Sequence, residues 1–355
     1  MINYLKDYIL KKPLQRITYE EYIEQALYHP QYGYYMKEKN KIGREGDFIT
    51  SSNISDIYGR SLANWFYKQV REYDLPSAIC EIGAGTGRFA KAFIEEWNTL
   101  STDPIHYYIL EESPYHRKLQ QEQIIFNERV KQIASLEVIS SFHGLIFSNE
   151  LFDAFPVHVI EKHDGRLMEV LVTIKSDQLA ETTVPLGNDR IRSFLEASGL
   201  TLEENQRIEI PLQMENMISE IAKVLERGLV LTVDYGYSNK EWLEPGRRDG
   251  SLRGYYKHQQ INNILEHPGE MDITSHVHFD SLIRLGNEKG LQFIKKWRQD
   301  EFLLHTGILE DLQENYDPNP FSEISKRNRA IRSLIMPSGM SSAFHVILQK
   351  KGMEK

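Results

Sequence analysis

Apolar and polar residues follow two different patterns along this chain, and the change falls near Pro76. The earlier part reads as mainly helical. Thr18 and Glu21 have the spacing of a capping box and open a predicted helix over TYEEYIEQAL. His29-Pro30 closes it, because the residue before a proline is pushed out of the helical region. An aromatic turn around Gly33 follows, then a polar loop over 37–53. A second helix is predicted from about Ser55 to Tyr73, with Ile57, Leu62, Trp65 and Phe66 on one apolar stripe.

After Pro76, short apolar runs alternate with helical patterns. SAICEIG, HYYILEES, HGLIFSNE and GLVLTVDYGY read as buried strands. GRFAKAFIEEWN and PYHRKLQQEQII read as helices, the second with Pro114 in its first turn. VHVIEKHDGRLMEVLVTI predicts a hairpin turning at Asp164-Gly165. LQFIKKWRQ and SAFHVILQK supply late strands, the last preceded by Pro337 and Gly339. Apolar strands alternating with helices imply an α/β fold: a mostly parallel sheet with helices on both faces. The expected division is an N-terminal helical cap or lid over 1–75 and an α/β domain over 76–355, with insertions at about 157–228 and 236–278.

Composition narrows the possibilities. The chain has 355 residues, 41% of them hydrophobic and 26% charged, so it has material for a large core. A net charge of −9 argues against a general nucleic-acid binder, and no nucleic-acid partner is expected. The single cysteine, Cys80, permits neither an intrachain disulfide nor a cysteine-based zinc cluster. The N-terminal apolar stretch is broken by Lys6 and Asp7, and the first arginine is Arg16. Neither a signal peptide nor a mitochondrial presequence is legible there, so a cytoplasmic protein is expected. No segment approaches the ~20 apolar residues of a membrane span, so no membrane insertion is expected.

The sharpest local signal is Glu81-Ile82-Gly83-Ala84-Gly85-Thr86-Gly87, between a predicted strand and a predicted helix. Glycines let the backbone turn tightly and approach a ligand. The next helix offers free N–H groups to an anion. The third glycine comes one residue too early for a dinucleotide fingerprint, and Arg88 stands in its place. E-x-G-x-G-x-G resembles instead the pattern of class I methyltransferases that use S-adenosylmethionine. Glu111, at the tip of the next strand, is placed to accept two ribose hydroxyls. Adenine recognition is expected near Ser135 and Leu136, and Asn149 closes the third clear strand near the expected reaction centre. All these positions fall at the carboxyl ends of strands, where open α/β sheets bind ligands.

Longer strings carry a more specific resemblance. YHPQYGYY (28–35), GDFITSSNISDIYG (46–59), EIGAGTG (81–87), NELFDAFPVH (149–158) and LRGYYKHQ (252–259) occur in that order, followed by PGEMDITSHVHF (268–279) and MSSAFHVILQK. Together they resemble the MidA-type family, which includes the mitochondrial assembly factor for respiratory complex I. The resemblance implies a class I, Rossmann-like methyltransferase fold, S-adenosylmethionine as cofactor and methylation of a protein, at arginine. Ala84 stands where many members have proline, and Ser52-Asn53 replace a Pro-acid pair, whereas Asp47 and Thr50 match. GDFITS is a candidate lid over the cofactor.

Methyl transfer to a guanidinium asks for carboxylates. They can hold the cation in bidentate fashion and localise charge away from the attacking nitrogen. Glu150 and Asp153 are three apart, so a helical turn over NELFDAF would aim both the same way. His276 is the third candidate catalytic group, as a neutral imidazole able to accept a proton. His276 and His278 share a strand face but have no third partner, so no metal is expected. Two alternatives stay open: an assembly factor that uses the fold as a binding scaffold, and a nucleotide-dependent oxidoreductase, which the glycine spacing disfavours. The oligomeric state is not legible.

Overall fold

The computed structural model describes residues 1–38, 56–312, 319, 322–336 and 343–353. Most of GDFITSSNISDIYG, with its expected lid, and the Pro337–Gly339 boundary lie outside them.

The chain begins with α1 (Ile2–Leu10), β1 (Arg16–Thr18) and α2 (Tyr19–Tyr28). The capping box at the start of α2 is formed: the Thr18 side chain accepts from the Glu21 amide, and Glu21 accepts from the Thr18 amide. α3 (Ile57–Tyr73) follows. The central unit then runs β2 (Ala78–Ile82), α4 (Arg88–Leu100), β3 (His106–Leu110), α5 (Pro114–Gln123), β4 (Val130–Ile133) and β5 (Phe142–Asn149). After β5 come β6 (His158–His163), β7 (Arg166–Lys175), β8 (Gln178–Pro185), α6 (Asp189–Ser198), β9 (Arg207–Ile210), α7 (Leu212–Val224) and β10 (Leu225–Tyr237). Beyond a one-turn helix at Asn239–Trp242 and short 3-10 turns come β11 (Arg253–Tyr256), β12 (Gln259–Ile261), β13 (Asp272–Thr274), β14 (Val277–His278), α8 (Phe279–Glu288), β15 (Gln292–Arg298), α9 (Gln299–Thr306), α10 (Glu323–Ile335) and β16 (Phe344–Lys351).

The main sheet has the order β15-β16-β10-β5-β2-β3-β4, with β14 added beside β10. From β4 through β10 neighbouring strands are parallel, while β16 is antiparallel to both β10 and β15. Successive side chains point to opposite faces, so each strand feeds two cores. Cys80 and Ile82 of β2, Ile146 of β5 and Val230 of β10 pack with α6, α7 and α8. Ile79, Leu145, Phe147, Leu229 and Leu231 pack on the other face with α3, α4, α9 and α10. Burial on both sides explains why these strands read as continuous apolar runs. Strand order reverses between β2 and β5, so a crevice opens at their carboxyl ends.

The turn at Asp164-Gly165 is as expected: both residues have positive φ, 49° and 72°, as a type I′ hairpin requires. The N-terminal segment differs from the helical expectation in one respect. β1 pairs antiparallel with β7, Ile17 opposite Val172, and so joins the sheet built from β6 to β9. Leu5, Tyr22 and Leu27 share a third core with Val159, Val172 and Met271.

Candidate active site

The glycine loop is shaped by backbone geometry. Gly83, Gly85 and Gly87 have φ of 76°, 52° and 82°, a region that costs ordinary residues about 1 kcal/mol or more. A Cβ on Gly83 would also come 3.2 Å from Leu151 Cδ1. At Gly87 it would meet Gln120 Cγ at 2.8 Å, so this glycine serves the packing of α4 on α5. The Gly83 amide donates to the Leu110 carbonyl at 2.8 Å. Glu111 completes the link: its Oε2 accepts from the Gly85 amide at 2.8 Å and its Oε1 from the Ser113 amide at 2.9 Å. Each oxygen keeps a lone pair for a ligand hydroxyl. Glu81 lies beneath the loop, 4% exposed, accepting from the Tyr107 hydroxyl at 2.7 Å. Burial pushes its carboxyl up to about 8.

Loop and strand ends open into one cavity of about 910 Å³. Among the described residues that line it, nine are Asp or Glu and one, Arg88, is an arginine. Five of the nine are inner: Glu81, Glu111, Glu150, Asp153 and Asp272. The other four are Glu20, Glu24, Glu112 and Glu220.

Glu150 and Asp153 both line this cavity, but not by the expected route. NELFDAF forms a turn, not a helix: Glu150 takes φ 50°, and Phe155 N donates to the Phe152 carbonyl at 3.3 Å. Asp234, fully buried below, fixes that turn by accepting from the Phe152 amide at 3.0 Å. Asn149 donates to Glu150 at 3.1 Å, and the Tyr235 hydroxyl donates to Asp153 Oδ2 at 2.6 Å. Asp153 Oδ1 and Asn149 Oδ1 are buried with no hydrogen-bond partner among the described residues. Burial and then the Asp153 charge push Glu150 well above the usual carboxylate range. Burial pushes Asp153 up to about 6, against the Tyr235 hydrogen bond. Asp272 joins them through the Tyr35 hydroxyl, which donates to its Oδ1 at 2.5 Å.

His276 lines the same cavity. Its ring stacks on Tyr237 at 4.2 Å and meets the edge of Tyr235 at 5.1 Å, and its Nδ1 is buried without a partner among the described residues. Burial, then Arg247 and Arg253, lower its pKa to about 4. It is therefore neutral at physiological pH, and better suited to accept a hydrogen bond than to store a proton.

Leu136 is buried in the core and Ser135 is exposed at the start of a short turn, and neither lines the cavity. Sequence reasoning missed Tyr28, Tyr35 and Asp272. Their strings were visible, but no local signal ties residue 35 to residue 272. Among the described residues no metal-ligating group of three is present, and no helix is long and apolar enough to cross a membrane.

Residues 61–296 match the family model described as "Putative S-adenosyl-L-methionine-dependent methyltransferase". This chain belongs to the MidA-type family of S-adenosylmethionine-dependent methyltransferases. The methyltransferase is similar to a solved COG1565 superfamily member from Burkholderia thailandensis bound to S-adenosyl-homocysteine. That pair has a TM-score of 0.90 and 26% identity, covering 100% of this chain and 92% of the other. Among named relatives is the mitochondrial protein arginine methyltransferase NDUFAF7 of Danio rerio, 26% identical over 92% of this chain and 82% of its own. The Homo sapiens protein of the same name is 25% identical over 93% and 79%. These relatives are named as mitochondrial, which overturns the cytoplasmic location expected above. The first few residues were too weak a basis for that expectation.

The cavity of the methyltransferase fits its cofactor. A Cβ at Gly83 would crowd Leu151 on the cavity wall, Glu111 offers free lone pairs, and Asn149 Oδ1 has no donor among the described residues.

Proposed function

We propose that this methyltransferase modifies arginine in a protein. Gly83, Ala84, Gly85, Thr86 and Glu111 hold the cofactor, with Glu81 beneath them and Asn149 at the boundary with the acceptor. Bound S-adenosylmethionine supplies a methyl group activated by a sulfonium.

Glu150 and Asp153 receive the acceptor guanidinium. One observation carries this reading: carboxyls of raised pKa, one with an orphaned oxygen, line the same cavity as the glycine loop. Buried acids of like charge are costly until a cation reaches them. A guanidinium is a planar cation with paired donors, which suits two carboxylates at once. Held there, its charge is drawn toward the carboxylates, and the opposite nitrogen is left to attack. Fixing that geometry supplies several kcal/mol, up to about 7–11 in the best intramolecular cases. The nitrogen would gain its bond to the methyl carbon as the carbon–sulfur bond breaks, and would shed a proton for which Glu150 and Asp153 are the acceptors beside it. His276, neutral, accepts a hydrogen bond from the same group.

The test incubates the purified protein with methyl-labelled S-adenosylmethionine and a cell extract, then hydrolyses the labelled protein band. Label in methylarginine supports the reading. Label on another residue, or no labelled band, overturns it.

A further inference from the structure

The cavity has an outer ring that methyl transfer to one guanidinium leaves unused. Glu24 comes from α2, Glu112 from the end of β3 and Glu220 from α7, three separate elements that converge on one rim. All three are exposed, and none has an ion-pair partner among the described residues. Glu20, beside them, does: His158 Nε2 lies 3.1 Å from its Oε2.

The acids crowd one another. After burial, Glu112 and Glu20 are what raise the pKa of Glu24, while Glu111 and Glu220 raise that of Glu112. The rim is continuous with the inner acids. The Tyr28 hydroxyl donates to the Ala154 carbonyl at 3.0 Å; burial first, and then the charges of Glu112, Asp272, Asp153 and Glu24, raise its pKa. At the inner end, Asp153 is 4% exposed and its Oδ1 is unpartnered within the cavity. An acidic path therefore runs from the open rim to an orphaned buried oxygen.

We infer that the acceptor arginine lies in a basic segment, with at least one further lysine or arginine nearby in sequence that docks on Glu24, Glu112 and Glu220. The inference rests on the arginine reading above and adds what surrounds that arginine. Long cationic side chains suit the rim, since the charge can reach the carboxylates while the backbone stays outside. Exposed pairs of this kind are individually weak, so selectivity comes from several acting together.

The test uses the full chain saturated with S-adenosylhomocysteine and four synthetic peptides of equal length, titrated by calorimetry. One peptide carries an arginine flanked by lysines and another an arginine flanked by glutamines; the other two repeat these with glutamine for the arginine. The lysine-flanked arginine peptide is expected to bind about tenfold tighter than its glutamine-flanked partner, less so as salt is raised. In the variant E24Q/E220Q that preference should largely vanish, with binding of S-adenosylhomocysteine showing that the variant is folded. Equal binding of the two arginine peptides, or a preference that survives in E24Q/E220Q, overturns the inference and leaves the arginine reading standing. A flank preference that persists when the central arginine is replaced, and is lost in E24Q/E220Q, keeps the rim and removes the arginine reading. Binding of no peptide overturns both.

Discussion

Tyr235 donates its hydroxyl to Asp153 Oδ2 at 2.6 Å, while Asp153 Oδ1 has no hydrogen-bond partner among the described residues. One side of the carboxylate is thus held by the protein and the other is kept for a ligand. The bond also favours the charged form of an acid that burial pushes up to about 6. A guanidinium is gripped by carboxylates and not by neutral acids, so kcat/KM should fall as pH drops, with Glu150 losing its charge first and Asp153 adding a limb at about 6. Tyr235→Phe removes the bond and should move this acid limb to higher pH. An unmoved limb in the pH–rate profile would show that Asp153 does not control it.

Glu150→Gln keeps shape and loses charge. Removing one member of a buried charge pair costs roughly 2–5 kcal/mol, so kcat/KM toward an arginine peptide should fall at least about thirtyfold. Affinity for S-adenosylhomocysteine, whose predicted holders lie mainly around the glycine loop, should change little. Retention of the full rate would sink the assignment of Glu150.

Glu111→Ala cuts two backbone hydrogen bonds to a carboxylate, at Gly85 and Ser113. Bonds to charged groups contribute about 1.5–3 kcal/mol each. S-adenosylhomocysteine should bind at least about tenfold more weakly, and calorimetric titration reads this directly. An unchanged dissociation constant would remove Glu111 from the nucleoside site.

His158 ties the N-terminal segment to the sheet of β6 and β7. Its Nδ1 lies 2.8 Å from Glu169 Oε1 and its Nε2 3.1 Å from Glu20 Oε2. These carboxylates outweigh burial and raise its pKa from 6.5 to about 9. The folded state therefore binds the proton more tightly than the unfolded chain. Its stabilisation is complete below about 6.5 and is lost as pH rises through about 9. Denaturant midpoints of the wild type should decline over that window, and the decline should be smaller in His158→Gln. Parallel pH curves would refute the linkage.

What was legible in the sequence was local. The capping box of Thr18 and Glu21 and the turn at Asp164-Gly165 each act within a few residues, and so does the glycine loop. The apolar runs of β2, β5 and β10 stood out because both of their faces are covered. What was hidden is made by distant partners. β1 has three residues and finds its partner about 155 positions later. The pairing of Tyr35 with Asp272 spans 237 positions. The expected helical turn over NELFDAF fails for a similar reason. Asp234, fixed in β10, takes the Phe152 amide, and Glu150 turns into the left-handed region to let it. Spacing by three in the sequence suggested that the two acids share a face, while tertiary contacts bring them to one cavity by another path.

β16 lies between β10 and β15, yet residues 344–351 are synthesised after both. Until they leave the ribosome, eight positions of β10 from Gly228 to Tyr235 present an edge of unpaired N–H and C=O groups beside the donor pocket. Residues 238–343 are all made before that edge is covered. A stop codon a few codons before Phe344 should therefore yield inclusion bodies in place of a slightly shortened enzyme.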